Sequence, residues 1–119
     1  IPDSSVDLVT IFIGLHHAPP HKLEPFVKSV FRVMRSGGVL LLRDHNATEE
    51  MKPIVNLAHS TFNAGTGVSY HDEITEIRNF QPLSYWISLL ENIGFERKGN
   101  PILQEGDPTA NTLVAFIKK

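Results

Sequence analysis

The sequence predicts an α/β fold in which parallel strands are followed by an antiparallel β-hairpin. Two continuously apolar runs, at 6–13 and 39–42, are typical of strands buried on both faces of a parallel sheet. An amphipathic segment at 21–36 separates them, and the end of the chain holds two more strand-like runs joined by a turn. At 119 residues, 41% hydrophobic and 20% charged, the chain is expected to form one domain, 1–119.

The composition excludes several classes of protein. The formal net charge of −2 gives no basic field for nucleic acid or for an anionic membrane surface. The chain has no cysteine, so disulfides, thiolate nucleophiles and cysteine metal sites are excluded. No apolar run approaches the roughly 18 residues of a membrane span. We therefore expect a cytoplasmic protein without a membrane or nucleic acid partner.

The first helix follows a loop that contains Gly14 and two prolines. Its apolar residues recur at intervals of three and four, and Gly37-Gly38 is predicted to cap its end before the strand at 39–42. The residues of this stripe are Leu23, Phe26, Val27, Val30, Phe31 and Met34.

A second helix is predicted to begin at Thr48 and to end at 65–67. Its predicted buried stripe consists of Met51, Ile54, Val55, Ala58 and Phe62. The polar segment 68–80 is expected to be a mobile, lid-like connection with one short helical turn. A third helix then runs from Pro82 to Gly94. Residues 95–103 and 112–118 form the hairpin, with a kink or bulge at 99–101.

Polar residues follow both apolar strands. In a strand–helix–strand unit with parallel strands, the carboxyl ends of the two strands lie at the same edge of the sheet. Residues 14–17 and 43–46 are therefore expected to line one shared crevice.

The order of these elements resembles the C-terminal half of a class I, Rossmann-like S-adenosylmethionine-dependent methyltransferase. The resemblance covers essentially the whole chain, and the order and spacing of its pieces are more specific than any single piece. These pieces are PDSSVDLV (2–9), LHH (15–17), VFRVMRSGGVLLL (30–42), WISLLENIGF (86–95) and the closing hairpin. The resemblance implies a partial three-layer sandwich that lacks the N-terminal cofactor-binding strands, and methyl transfer as the activity.

The resemblance also implies which residues contact the cofactor. The residues just after the fourth strand of the family lie against the amino acid and sulfonium end of S-adenosylmethionine, which corresponds here to Gly14, Leu15 and His16. Gly14 would allow a close approach of the backbone.

By the same resemblance, His17, Asp44 and His45 face the substrate, where an imidazole or carboxylate can accept the proton that a nucleophile loses. The alternative is that 16–17 is a polar turn before the prolines, and that Asp44 caps local backbone amides. A further alternative is a metal bound by His16, His17 and His21 with Asp44 or His45. Adjacent histidines usually point apart, so no metal is expected.

The glycine-rich turn and the ribose-binding acidic residue of the family have no counterpart in this sequence. S-adenosylmethionine is therefore expected to bind only in a complete protein, with a small-molecule or unidentified acceptor, and the chain alone is expected to be inactive. The alternative is a non-catalytic α/β module that pairs with another chain through 6–13, as a homodimer or by strand swapping.

Overall fold

The computed structural model describes residues 1–119 and contains four strands and four α-helices. In chain order these are β1 (Val6–Phe12), α1 (Pro20–Val33), β2 (Met34–His45), α2 (Lys52–Thr66), α3 (Tyr70–Thr75), α4 (Leu83–Ile93), β3 (Phe95–Leu103) and β4 (Asn111–Lys118). A 3-10 turn, Leu15–His17, follows β1. None of the helices has both the length and the apolar composition to cross a membrane.

The four strands form one mixed sheet in the order β1-β2-β4-β3. Strands β1 and β2 are parallel, whereas β4 is antiparallel to both β2 and β3. This topology confirms the predicted α/β class, with parallel strands followed by an antiparallel hairpin. The bulge predicted at 99–101 is also confirmed, because the register of β3 shifts between Lys98 and Ile102 and Gly99 has a φ of 67°.

Helices α1 and α4 pack together against the sheet and enclose the main core. Trp86 is the largest of its fully buried side chains. The core consists of Leu15, Leu23, Val27, Val30, Met34, Leu40, Leu42, Trp86, Leu90, Phe95, Val114 and Phe116.

Strand β1 lies at an edge of the sheet, as expected, but its side chains are not all buried. Val9 and Ile11 pack against the core, whereas Leu8 and Phe12 on the other face are 56% and 52% exposed. Burial on both faces, which is typical of such an apolar run, does not occur here, in agreement with the expectation that 6–13 is free to pair with another chain. The apolar character of 6–13 instead produces an exposed apolar strand surface.

The end of α1 differs from the prediction. The helix ends at Val33, and Met34 already has extended backbone angles and pairs with Val6. Gly37 and Gly38 lie inside β2, where the register shifts, instead of capping the helix. Gly37 has a φ of 79°, and a Cβ on Gly38 would lie 2.9 Å from the carbonyl oxygen of Arg35. The glycine pair therefore forms an irregular start to the strand.

The second helix ends where predicted but begins later and buries a different face. Gly67 caps it in the left-handed conformation, while its N-terminal cap is Met51 and not Thr48. Ile54 and Phe62 of the predicted stripe are 47% and 69% exposed. The buried residues are Val55 and Asn63, so the inner face of α2 is partly polar.

Candidate functional site

The predicted crevice exists at the carboxyl ends of β1 and β2. The 3-10 turn that follows β1 places His16 against the end of β2, where the Nδ1 of His16 lies 2.7 Å from Oδ1 of Asp44. Both side chains are buried, with 0% and 1% exposed. The same Oδ1 accepts a hydrogen bond from the backbone N–H of His45 at 2.8 Å. The carboxylate of Asp44 therefore holds the ring of His16, after β1, and the backbone of His45, at the end of β2.

A third histidine, contributed by α2, completes a compact group. The Nε2 atoms of His59 and His16 lie 3.0 Å apart, and the ring centroid of His45 is 5.3 Å from that of His59. The ring of Phe80 packs against all three imidazoles, at centroid distances of 5.2, 5.8 and 4.9 Å from His16, His45 and His59. We call His16, His45 and His59 the three-histidine cluster.

Hydrogen bonds determine the orientation of each imidazole in this cluster. The Nδ1 of His45 donates to the carbonyl oxygen of Thr109 at 3.0 Å, and the Nδ1 of His59 donates to the carbonyl oxygen of Val55 at 3.0 Å. Because a carbonyl oxygen only accepts, Nδ1 carries the proton in both rings and Nε2 keeps a lone pair. The Nε2 of His45 is buried and has no hydrogen-bond partner.

Burial lowers the pKa of His45 and of His59. It is the largest cause in both cases, and it outweighs the hydrogen bonds to the carbonyl oxygens of Thr109 and Val55, which act to raise the pKa. The neighbouring His16 lowers both values further by charge repulsion. Both rings are therefore neutral at pH 7, with the lone pair of Nε2 available.

A cavity of about 400 Å³ lies beside the cluster. Its lining residues are Ile13, His17, His45, Ala58, His59, Phe62, Asn63, Glu76 and Thr109. A second hollow, of about 350 Å³, is lined by Ile11, Gly14, Leu15, His17, Ala18 and Phe26. His17 lines both of them. Its Nδ1 donates to the carbonyl oxygen of Ile77 at 2.8 Å, which leaves its Nε2 free.

The segment 68–80 forms one wall of the cavity. It contains the predicted helical turn, α3, whose N-terminal cap Ser69 accepts a hydrogen bond from the backbone N–H of Asp72. The backbone N–H of Asn79 donates to the carbonyl oxygen of His16 at 2.7 Å, and Phe80 is buried. In this structure the predicted mobile connection is therefore attached to the site.

Arg78 holds this wall against α2. Its side chain is only 14% exposed and binds Glu73 at 2.9 Å and Glu76 at 2.8 Å, so Arg78 is not a solvated surface residue. Burial acts to lower the pKa of Arg78, but the hydrogen bonds to Glu76 and Glu73 outweigh it and raise the pKa. Hydrogen bonds from Ser60 and Asn63 of α2 lower the pKa of Glu73. Arg78 thus joins two ionised carboxylates of the wall, and these three side chains together keep a net negative charge.

Of the three residues expected to contact the cofactor, Gly14 and Leu15 line the second hollow, whereas His16 does not. Gly14 lies at the second hollow, where an added Cβ would meet only ordinary contacts, the nearest at 3.8 Å. Leu15 is a core residue with 1% of its surface exposed. His16 instead joins the residues expected at the substrate side, Asp44 and His45, while His17 lies between the two hollows.

His59 was missed because the stripe of α2 was assigned from its apolar residues. Val55, His59 and Asn63 recur at intervals of four, which places them on one face of the helix. That spacing is the sequence signal for a polar inner face. His21, a histidine of the alternative metal site, is exposed and lies outside the group of histidines that come together.

Comparison with known proteins shows which proteins this chain is similar to. A family model described as a methyltransferase domain matches residues 1–42. Comparison with curated protein sequences gives no match. Among solved structures, 1,6-didemethyltoxoflavin-N1-methyltransferase from Burkholderia thailandensis, with bound S-adenosylhomocysteine, is 9% identical with a TM-score of 0.69. The alignment covers 100% of this chain and 46% of that enzyme.

Two further structures show the same similarity. A SAM-dependent methyltransferase from Methanosarcina mazei is 18% identical, with a TM-score of 0.69 and coverage of 98% of this chain and 61% of that chain. The cyclase SpnF is 13% identical, with a TM-score of 0.63 and coverage of 99% and 52%. The chain has the class I, Rossmann-like methyltransferase fold. The chain spans about half the length of the solved structures that it matches.

Proposed function

We propose that the chain supplies the substrate side of an S-adenosylmethionine-dependent methyltransferase site, in a complete cytoplasmic protein that also holds the cofactor-binding half. The observation that carries the proposal is the position of His17 between the hollow at Gly14 and Leu15 and the larger cavity at His45. The fold alone does not decide the activity, since it also occurs in a cyclase. The methyltransferase family model and the S-adenosylhomocysteine of the Burkholderia enzyme support methyl transfer.

In this proposal the methyl donor lies at the hollow beside the backbone of Gly14 and Leu15, and a small-molecule acceptor lies in the larger cavity. A lone pair of the acceptor attacks the methyl carbon. The bond from that carbon to sulfur breaks, and its electron pair moves to sulfur to give S-adenosylhomocysteine. Alignment of the two reactants at this junction supplies most of the rate enhancement.

The remaining predicted residues have distinct roles. The free Nε2 of His17 accepts the proton that the acceptor loses as the new bond forms. His45 lines the acceptor cavity. Asp44 does not touch the acceptor and is a positioning residue, because it binds the ring of His16 and the backbone N–H of His45.

The test uses the protein encoded by the complete gene, with S-adenosylmethionine labelled in the methyl group and fractionated small molecules as acceptors. We expect His17→Ala to lower kcat about 100-fold with little change in KM for the cofactor. The control is His21→Ala, an exposed histidine at the start of α1, which we expect to leave kcat unchanged. Equal rates for the two variants would remove His17 from the mechanism.

The chain alone provides a second arm of this test. Because the glycine-rich turn and the ribose-binding carboxylate are absent from the sequence, calorimetry should detect no saturable binding of S-adenosylmethionine to residues 1–119. Binding of one cofactor per chain would contradict the proposal that the cofactor-binding half of the site lies outside residues 1–119.

A second candidate function is a non-catalytic module that pairs through β1. It is favoured by the exposure of Leu8 and Phe12 on a strand at the edge of the sheet. Unpaired backbone groups and apolar side chains at such an edge promote pairing with another chain.

We therefore predict that residues 1–119 self-associate at tens of micromolar concentration, measured by sedimentation velocity. The double variant Leu8→Lys/Phe12→Lys should be monomeric, because charges on an edge strand block pairing. Leu57→Lys is the matched control, since Leu57 is 68% exposed on α2, and it should still associate. A monomeric wild-type chain would contradict pairing through β1. Self-association that persists in the complete protein would favour the module over the methyltransferase.

A further inference from the structure

We propose that the three-histidine cluster, His16, His45 and His59, binds one divalent transition-metal ion such as Zn²⁺. The nitrogen ligand atoms of the three residues all lie within 4.8 Å of one another. His16 and His45 are buried, and His59 is partly buried. This proposal does not depend on methyl transfer, because it concerns binding by the chain without any cofactor.

The Nε2 atoms of the cluster have no hydrogen-bond partner outside the cluster. Asp44 and the carbonyl oxygens of Thr109 and Val55 hold the protons of the three Nδ1 atoms, so every Nε2 presents a lone pair when His16, like His45 and His59, is in its neutral form. The Nε2 atoms of His16 and His59 are 3.0 Å apart and would repel each other as two lone pairs. The Nε2 of His45 is buried with no partner at all. A cation between the three rings satisfies all three lone pairs at once.

The groups behind the histidines match those that support metal ligands. A ligating histidine usually donates its other ring N–H to a carboxylate or a backbone carbonyl, which fixes the ring and raises its basicity. Asp44 plays this role for His16, and Thr109 plays it for His45. Thr109 is itself fixed, since its backbone N–H and its hydroxyl both donate to Asp107, at 2.8 and 2.7 Å.

The type of donor indicates the type of ion. Neutral imidazole nitrogen suits Zn²⁺ and neighbouring transition metals, whereas Mg²⁺ and Ca²⁺ prefer oxygen ligands. Zn–N bonds of about 2.0–2.1 Å place the ligand nitrogens of a tetrahedral ion about 3.3 Å apart. The Nε2 atoms of His16 and His59, at 3.0 Å, are already close to this spacing, so binding requires only small shifts of the rings. His45 and His59 also line the cavity, so the fourth position of a tetrahedral ion faces the space where a ligand can enter.

The test is calorimetric titration of chelator-treated residues 1–119 with Zn²⁺ in a buffer that does not bind metal. We expect one ion per chain with Kd below about 1 μM. His59→Gln should weaken binding at least 100-fold, and Asp44→Asn should weaken it about 10- to 100-fold through the ring of His16. His21→Gln and His71→Gln, which change exposed histidines outside the cluster, should bind Zn²⁺ as the wild type does.

Circular dichroism checks that each variant is folded, and His45→Gln replaces His59→Gln in the comparison if the latter does not fold. Titration with Co²⁺ gives an independent readout, since three imidazoles and one solvent ligand should produce the intense visible absorption of a tetrahedral ion. Binding weaker than about 100 μM, or equal losses in the cluster variants and in His71→Gln, would overturn the proposal. The first result would mean that a proton shared between His16 and His59 fills the gap instead.

Discussion

Trp86→Ala is expected to lower the free energy of unfolding by about 3–5 kcal/mol, the largest effect of any single substitution in the core. Trp86 is fully buried in α4, within the core that α1, α4 and the sheet share. Its removal leaves a large cavity that rigid neighbouring strands cannot fill, and it also loses apolar burial. The free energy of unfolding of a small domain is low, and in this chain one face of β1 is also exposed, so a loss of this size removes a large part of the total.

Urea unfolding followed by circular dichroism measures this effect, and two variants serve as controls. Trp86→Phe should cost much less than Trp86→Ala, because the indole Nε1 is buried without a hydrogen-bond partner and its removal breaks no bond. Tyr85→Ala changes the adjacent aromatic residue, which is 40% exposed, and should cost less than about 1 kcal/mol. Similar losses for Tyr85→Ala and Trp86→Ala would mean that α4 does not pack as described.

The elements were predictable where hydrophobic pattern and turn residues agree. Residues 95–103 form β3 as predicted, and α4 lies between Pro82 and Gly94 as predicted. The boundary between α1 and β2 was not predictable in this way, because a glycine pair after an amphipathic helix is equally compatible with a helix cap and with an irregular strand start. Pairing of Met34 with Val6, a contact between distant residues, decided it.

Only the part of the site at the ends of the parallel strands β1 and β2 was predictable from the sequence. Parallel pairing of β1 and β2 brings His16 to Asp44 and His45, and this follows from the crossover unit alone. His59 and Arg78 come from segments whose positions depend on tertiary packing. His59 is a polar residue on the inner face of a helix, which hydrophobic periodicity assigns to solvent, and Arg78 lies in an irregular segment that has no periodicity.

Asp44→Ala is expected to lower the free energy of unfolding by about 2–4 kcal/mol. Asp44 is 1% exposed, and its Oδ1 accepts hydrogen bonds from the ring of His16 and from the backbone N–H of His45. Alanine leaves both donors buried without an acceptor, and each such donor costs about 1–3 kcal/mol. Relief of the buried negative charge offsets part of this loss, so the expected value lies below the sum of the two penalties.

The matched control is Asp44→Asn, whose amide oxygen can accept both hydrogen bonds and should restore more than half of the lost stability. Asp7→Ala provides the surface comparison, since the ion pair of Asp7 with Arg35 at 2.9 Å is exposed and should contribute less than about 1 kcal/mol. Denaturant unfolding gives the stabilities, and ¹⁵N NMR of His16 reports whether Nδ1 keeps its proton. If Asp44→Ala were as stable as Asp7→Ala, the carboxylate would not fix the two histidines, and the geometry of both the acceptor cavity and the three-histidine cluster would need another source.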